Sequence, residues 1–152
     1  MNTIPLVDSE RTTQNRVVNL LHDYCGYQYL GYKQNADNLP IIPEILGKFI
    51  KDTQHASNTE IDKVLRLLDL EISRCHDKDT LFQSNLNFYS YLRYGVNIQG
   101  DDGHSKTVKI IEWSEDNVAD NIFSLAEEVT VHRNIEEYRT RRPDIVVYVN
   151  GM

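Results

Sequence analysis

Apolar residues recur along this chain first at helical and later at strand spacing. Val17, Val18, Leu20, Leu21 and Cys25 follow Asp8-Ser9-Glu10 on a helical repeat that stops at Gly26. That spacing predicts a first helix, with Asp8 or Ser9 capping its free N–H groups. Tyr27 to Tyr32, with Leu30 beside Gly31, reads as a short strand. Pro43 fits the first turn of a second helix carrying Ile45, Leu46, Phe49 and Ile50, with Leu39, Ile41 and Ile42 leading in. Ser57-Asn58-Thr59-Glu60 has the form of a capping box, and Ile61, Val64, Leu65, Leu68 and Ile72 trace the apolar stripe of a third helix behind it. Leu81, Phe82, Leu86, Phe88, Tyr89 and Leu92 predict a fourth, ending near Gly95.

Beyond Gly95 the repeat changes. Val108 to Trp113, Ile122 to Val131 and Ile145 to Val149 are expected as strands, separated by Gly100-Asp101-Asp102-Gly103 and the polar stretch 133–142. Helices first and sheet later is an α+β arrangement. The expectation is one domain over 1–152, helical over 8–95 and mainly strands over 106–149. Its three strands would share a mixed, curved sheet, with the first helix on one face and the middle helices as an attached lobe. Asn150-Gly151 is a dipeptide favoured in two-residue type I′ turns. Such a turn calls for an antiparallel strand after Met152, so the chain is expected to be a fragment of a longer protein.

The chain has 152 residues, 40% of them hydrophobic and 26% charged, ordinary for one domain with a real core. A net charge of −7 disfavours a protein that coats nucleic acid, because a phosphate backbone rewards clustered Lys and Arg. Any DNA contact must be local or supplied from elsewhere. Cys25 and Cys75 have no CxxC spacing, which fits a reducing, cytoplasmic setting. The polar start has no signal pattern, and no apolar run approaches the roughly eighteen residues of a membrane span. The five histidines form no spaced ligand set, and no GxxxxGK[ST] loop supports ATP binding within this sequence.

Four segments, in order, carry a resemblance. The first runs from Ser9-Glu10-Arg11-Thr12-Thr13-Gln14 through Gly26-Tyr27 and Tyr29-Leu30. The second is Asn85 to Val96, ending in Tyr94-Gly95-Val96, and the third joins Val108 to Trp113 with Asn121-Ile122-Phe123. The last and most specific is Arg141-Arg142-Pro143-Asp144 to Asn150-Gly151. Together they resemble the N-terminal region of the R subunit of type I restriction enzymes, which carries a nuclease domain followed by a DNA-translocating motor. The resemblance implies a restriction-endonuclease-like fold of the PD-(D/E)xK type. It also implies double-stranded DNA as substrate, and the methyltransferase and specificity subunits of the same complex as partners. Mg²⁺ would serve the intact nuclease, and ATP the motor of the parent protein.

On that resemblance Asp144 is the first metal-binding carboxylate. The second carboxylate and the lysine, as Glu-x-Lys, belong on the returning strand. Only eight residues follow Asp144 and none is Glu or Lys, so this sequence alone is expected to cut nothing. Glu10 matches an acidic residue of the first helix that can reach the metal; a glutamate near a helix start is equally favoured by the helix dipole. Gln14 is a DNA-contact candidate, with solvent as its other reading. Arg141 and Arg142 are candidate phosphate ligands, in a segment where Arg133, Arg139, Arg141 and Arg142 outnumber Glu136 and Glu137. The same charges also suit a solvated loop. Taken alone, Pro143-Asp144 is what backbone preferences put ahead of many strands. The competing functions are a non-catalytic interaction domain, which the acidic charge favours, and a standalone nuclease without a motor.

Overall fold

The computed structural model describes residues 6–33 (main chain only for 6–9), 40–74, 79–131 and 141–152. The chain is α+β, and it separates into two compact units: one from 1–40 and 123–149, the other from 41–122 and 150–152. No described helix is long and apolar enough to cross a membrane.

The first unit begins with α1 (Leu6–Asn19), which runs into a π-helical turn at Leu20–Tyr24. Asp8 and Ser9 therefore lie inside the helix rather than capping it, because helical backbone already starts at Leu6. Of the predicted apolar stripe, Val18 is buried while Val17 and Leu20 stay exposed. Gly26, at φ +74°, reverses the chain where a Cβ would be strained, and β1 (Gln28–Tyr32) follows as expected. Its neighbour is β4 (Phe123–Glu127), parallel to β1 and antiparallel to β5 (Ile145–Val149). The resulting order β1-β4-β5 puts β4 in the middle, and its residues 124–127 are all buried, Leu125 and Ala126 completely. Tyr27 stacks on Phe123 with ring centroids 5.2 Å apart. Ile145 to Val149 has the predicted bounds. The predicted run Ile122 to Val131 is shorter, because Glu128 takes φ 55° and leaves the pleat, giving its N–H to the Asp144 carbonyl at 3.1 Å.

The second unit contains α2 (Pro43–Gln54), α3 (Asn58–Arg74) and α4 (Leu81–Tyr94). Pro43 occupies the first turn of α2, where its missing N–H removes nothing from the helix. The capping box at the start of α3 closes in both directions: Glu60 N–H donates to Ser57 Oγ at 3.1 Å and Ser57 N–H to Glu60 Oε2 at 3.2 Å. Lys106 then pairs with Glu60 Oε2 at 2.7 Å. A hairpin of β2 (Val96–Gln99) and β3 (Ser105–Val108) follows α4. This corrects the expected strand Val108 to Trp113. Pairing ends at Val108, residues 109–113 are irregular, and the hairpin forms its own two-stranded sheet without joining β4 and β5. Gly95, at φ +88°, lets the chain pass from α4 into β2, and a Cβ there would stand 2.7 Å from the Val108 carbonyl oxygen.

The core of this unit gathers Leu46, Phe49 and Ile50 of α2, Val64 and Leu68 of α3, Val96, Val108 and Ile110. Burying each such side chain contributes about 1.5–3 kcal/mol relative to leaving it in water. Asn150 and Gly151 both have positive φ, 54° and 81°, as a type I′ turn requires. Fully buried, Asn150 accepts the Ile122 N–H at 2.7 Å and donates to the Ile110 carbonyl at 2.9 Å and to Asn121 Oδ1 at 2.8 Å.

Candidate functional site

The first unit holds an open cleft of about 370 Å³ between one face of α1 and the start of β5. Glu10, Thr13, Gln14 and Val17 line the helix side, at spacings of three and four residues that bring side chains onto one face. Asp144 and Ile145 line the other side. Pro143, which restricts its own φ, stands immediately before Asp144, whose side chain is exposed. Glu10 and Asp144, separated by most of the chain, thus border the same cleft.

Beneath them lies a polar network centred on a residue that sequence patterning passed over. Glu127, in the last position of β4, is only 3% exposed. The Tyr29 hydroxyl donates to its Oε1 at 2.5 Å and the Gln14 amide nitrogen donates to its Oε2 at 2.8 Å. The same Gln14 nitrogen donates to the Asp144 carbonyl at 3.2 Å. The bond to Glu127, helped by partial burial and by the carboxylate's charge, pushes the Tyr29 phenol up to about 12. Gln14 does not simply face solvent: its nitrogen is engaged inside the unit. The signal for Glu127 was its position, an acidic residue within the apolar run from Ile122 to Val131. A carboxylate there must find donors, because burial without them is costly.

Arg141 bridges Val131 through both main-chain groups, at 2.8 and 2.9 Å. Arg142 stands 4.0 Å from the Glu128 carboxylate, and both arginines are exposed. Arg133, Arg139, Glu136 and Glu137 lie outside the described residues. Among the described residues no group of three or more His, Cys, Asp or Glu side chains is gathered closely enough to hold a metal. Glu10 and Asp144 are hard oxygen donors of the kind Mg²⁺ takes, and both line this cleft. Each Glu127 oxygen accepts one donor, Oε1 from Tyr29 and Oε2 from Gln14.

Fold and cleft together define an α+β protein whose acidic site joins the first helix to the strand after Pro143. The family described as Type I restriction enzyme R protein N terminus (HSDR_N) matches residues 8–152, and the chain belongs to it. No curated protein matches the chain.

Proposed function

We propose that this sequence forms part of the nuclease site of a type I restriction R subunit, of the PD-(D/E)xK type. In the intact subunit the site hydrolyses phosphodiester bonds of double-stranded DNA with Mg²⁺. ATP-driven translocation is the work of a motor outside this sequence. Asp144 and Glu10 are the carboxylates that would hold the metal, with Glu-x-Lys supplied from beyond Met152. The single observation that carries the reading is their common cleft, in a chain of this family.

Mg²⁺ held by Asp144 and Glu10 would supply charge neutralisation at phosphate oxygens and a more acidic water. The protein's own part is to fix two hard oxygen donors and to meet the DNA backbone. Arg142 and Arg141, exposed beside the cleft strand, are suited to phosphate contacts that hold the duplex in place without reading its sequence. The methyltransferase and specificity subunits would supply sequence recognition, in a cytoplasmic complex.

The test uses the intact R subunit assembled with those partners, Mg²⁺, ATP and plasmid DNA. Asp144→Asn and Glu10→Gln are expected to lower cleavage by about 100-fold or more, beyond what loss of an outer-shell partner usually costs, while ATP hydrolysis is retained. Unchanged cleavage by Asp144→Asn refutes the assignment. A second reading, a protein-docking domain, is favoured by Phe82, Leu86 and Tyr89, exposed apolar residues at positions i, i+4 and i+7 of α4. Wild-type cleavage by both carboxylate variants would favour it.

A further inference from the structure

Resting on the metal-site reading above, we propose that Glu127 is a positioning residue for Asp144, acting through the side-chain amide of Gln14. Gln14 ends in a primary amide. Its nitrogen carries two hydrogens in one plane, pointing in different directions. In Gln14 one goes to Glu127 Oε2 at 2.8 Å and the other is directed at the Asp144 carbonyl at 3.2 Å. The first bond involves a carboxylate and is therefore the stronger, so it sets the plane of the amide. Once that plane is fixed, the second hydrogen has one available direction, toward the residue that bears the proposed metal ligand.

Glu127 can set the plane because it is itself held. It is buried, its main chain is paired with β5 through the Glu127↔Ile145 register, and its other oxygen receives the Tyr29 hydroxyl at 2.5 Å from β1. The Asp144 carbonyl is held from a second side by the Glu128 N–H at 3.1 Å, which uses both of its lone pairs. Asp144 lies outside the ladder of β5, whose first residue is Ile145. Without these two bonds its peptide group would have no anchor toward β4 or α1 among the contacts described. With them, the direction in which the Asp144 side chain leaves the backbone is determined by β4, β1 and α1 together. Gln14 also shares the cleft-facing side of α1 with Glu10, so one helix face carries both a proposed ligand and the strap for the other. The elevated pKa of Tyr29, about 12, agrees with a strong bond at the far end of this relay.

The experiment uses the intact R subunit and two readouts. Mn²⁺, as a paramagnetic stand-in for Mg²⁺, gives metal affinity by EPR without turnover; cleavage kinetics in the assembled complex give kcat and the KM for DNA. Gln14→Leu keeps the side-chain size but removes both donors, and Glu127→Leu removes both acceptors. Each is expected to weaken Mn²⁺ binding and reduce kcat by about 10–100-fold, as loss of outer-shell partners does, with the KM for DNA unchanged. Glu127→Gln keeps an acceptor oxygen for Gln14 and is expected to recover most of both. Tyr29→Phe, the mildest change, should fold normally and give a smaller loss in the same direction, so the relay stays testable should a leucine variant unfold. Mn²⁺ affinity within twofold of wild type in Gln14→Leu and Tyr29→Phe, while Asp144→Asn loses it, overturns the relay and leaves the metal site standing. Unchanged Mn²⁺ affinity in Asp144→Asn overturns both. Equal losses in Glu127→Gln and Glu127→Leu would show that the carboxylate's charge, rather than its hydrogen bond to Gln14, is what is needed, and would also overturn the relay.

Discussion

Tyr29 ties the chemistry of the site to pH. Its phenol donates to Glu127 and is faced by Arg11 and Tyr32, with the His22 ring 6.3 Å away. The folded pKa of about 12 lies above the ordinary 10, so folding favours the neutral phenol. The stabilisation is then complete below pH 10 and is lost as pH rises toward 12. Tyr29→Phe should therefore remove a step in stability over that window, measured by denaturant melts at pH 9 and above in wild type and variant. A wild-type curve with the same slope as the variant would contradict the bond. Single residues were unequally legible from the chain. Asp144 and Glu10 were marked by the resemblance to the restriction-subunit family, since Pro143-Asp144 and a glutamate near a helix start are by themselves ordinary backbone preferences. Glu127 was marked only as an acidic residue inside an apolar run and Tyr29 not at all, because the bond between them depends on a parallel pairing of β1 with β4 nearly a hundred residues apart. Local periodicity does not encode such a pairing.

Elements were most legible where local chemistry closes on itself. The Ser57-to-Glu60 box predicted the start of α3, and both reciprocal bonds are present. Ser57→Ala removes one acceptor and should cost about 1 kcal/mol, with a range of roughly 0.5–2 for caps of this kind, readable as a shifted denaturant midpoint at constant slope. The helix α1 was read with too late a start, because Asp8 and Ser9 are good caps in isolation but here lie within helical backbone. The β2–β3 hairpin was not anticipated, for a different reason. Val96 and Ile98 alternate with Asn97 and Gln99 over four residues only, too short a run to outweigh the neighbouring helix pattern. Lys109 to Trp113 looked like a strand through its β-branched residues, yet Asn121 meets that segment with its side chain, accepting the Glu112 N–H and donating to the Glu112 carbonyl at 2.9 and 2.8 Å. Side-chain bonding there takes the place of a ladder.

On the scale of the whole molecule, the apolar cluster and the proposed site lie in different units. The apolar cluster around Leu46, Val64 and Leu68 belongs to the second unit, whereas the cleft and its relay belong to the first. Leu68→Ala, at a position with no solvent exposure, should destabilise the second unit by about 2–5 kcal/mol, checked by equilibrium unfolding. The α+β class was legible from helices followed by strands. The division into two units was not, because it depends on which distant segments meet: residues 41–122 interrupt the first unit, and 150–152 complete the second. Ile42 N–H binds the Gly151 carbonyl at 2.7 Å, and the buried Asn150 amide reaches Ile110. During synthesis, then, neither unit can finish folding as its own segments leave the ribosome: α1 and β1 must wait for β4 and β5, and the helical unit waits for the final turn. Both wait for neighbouring stretches of chain, β5 for the first and the turn at 150–152 for the second.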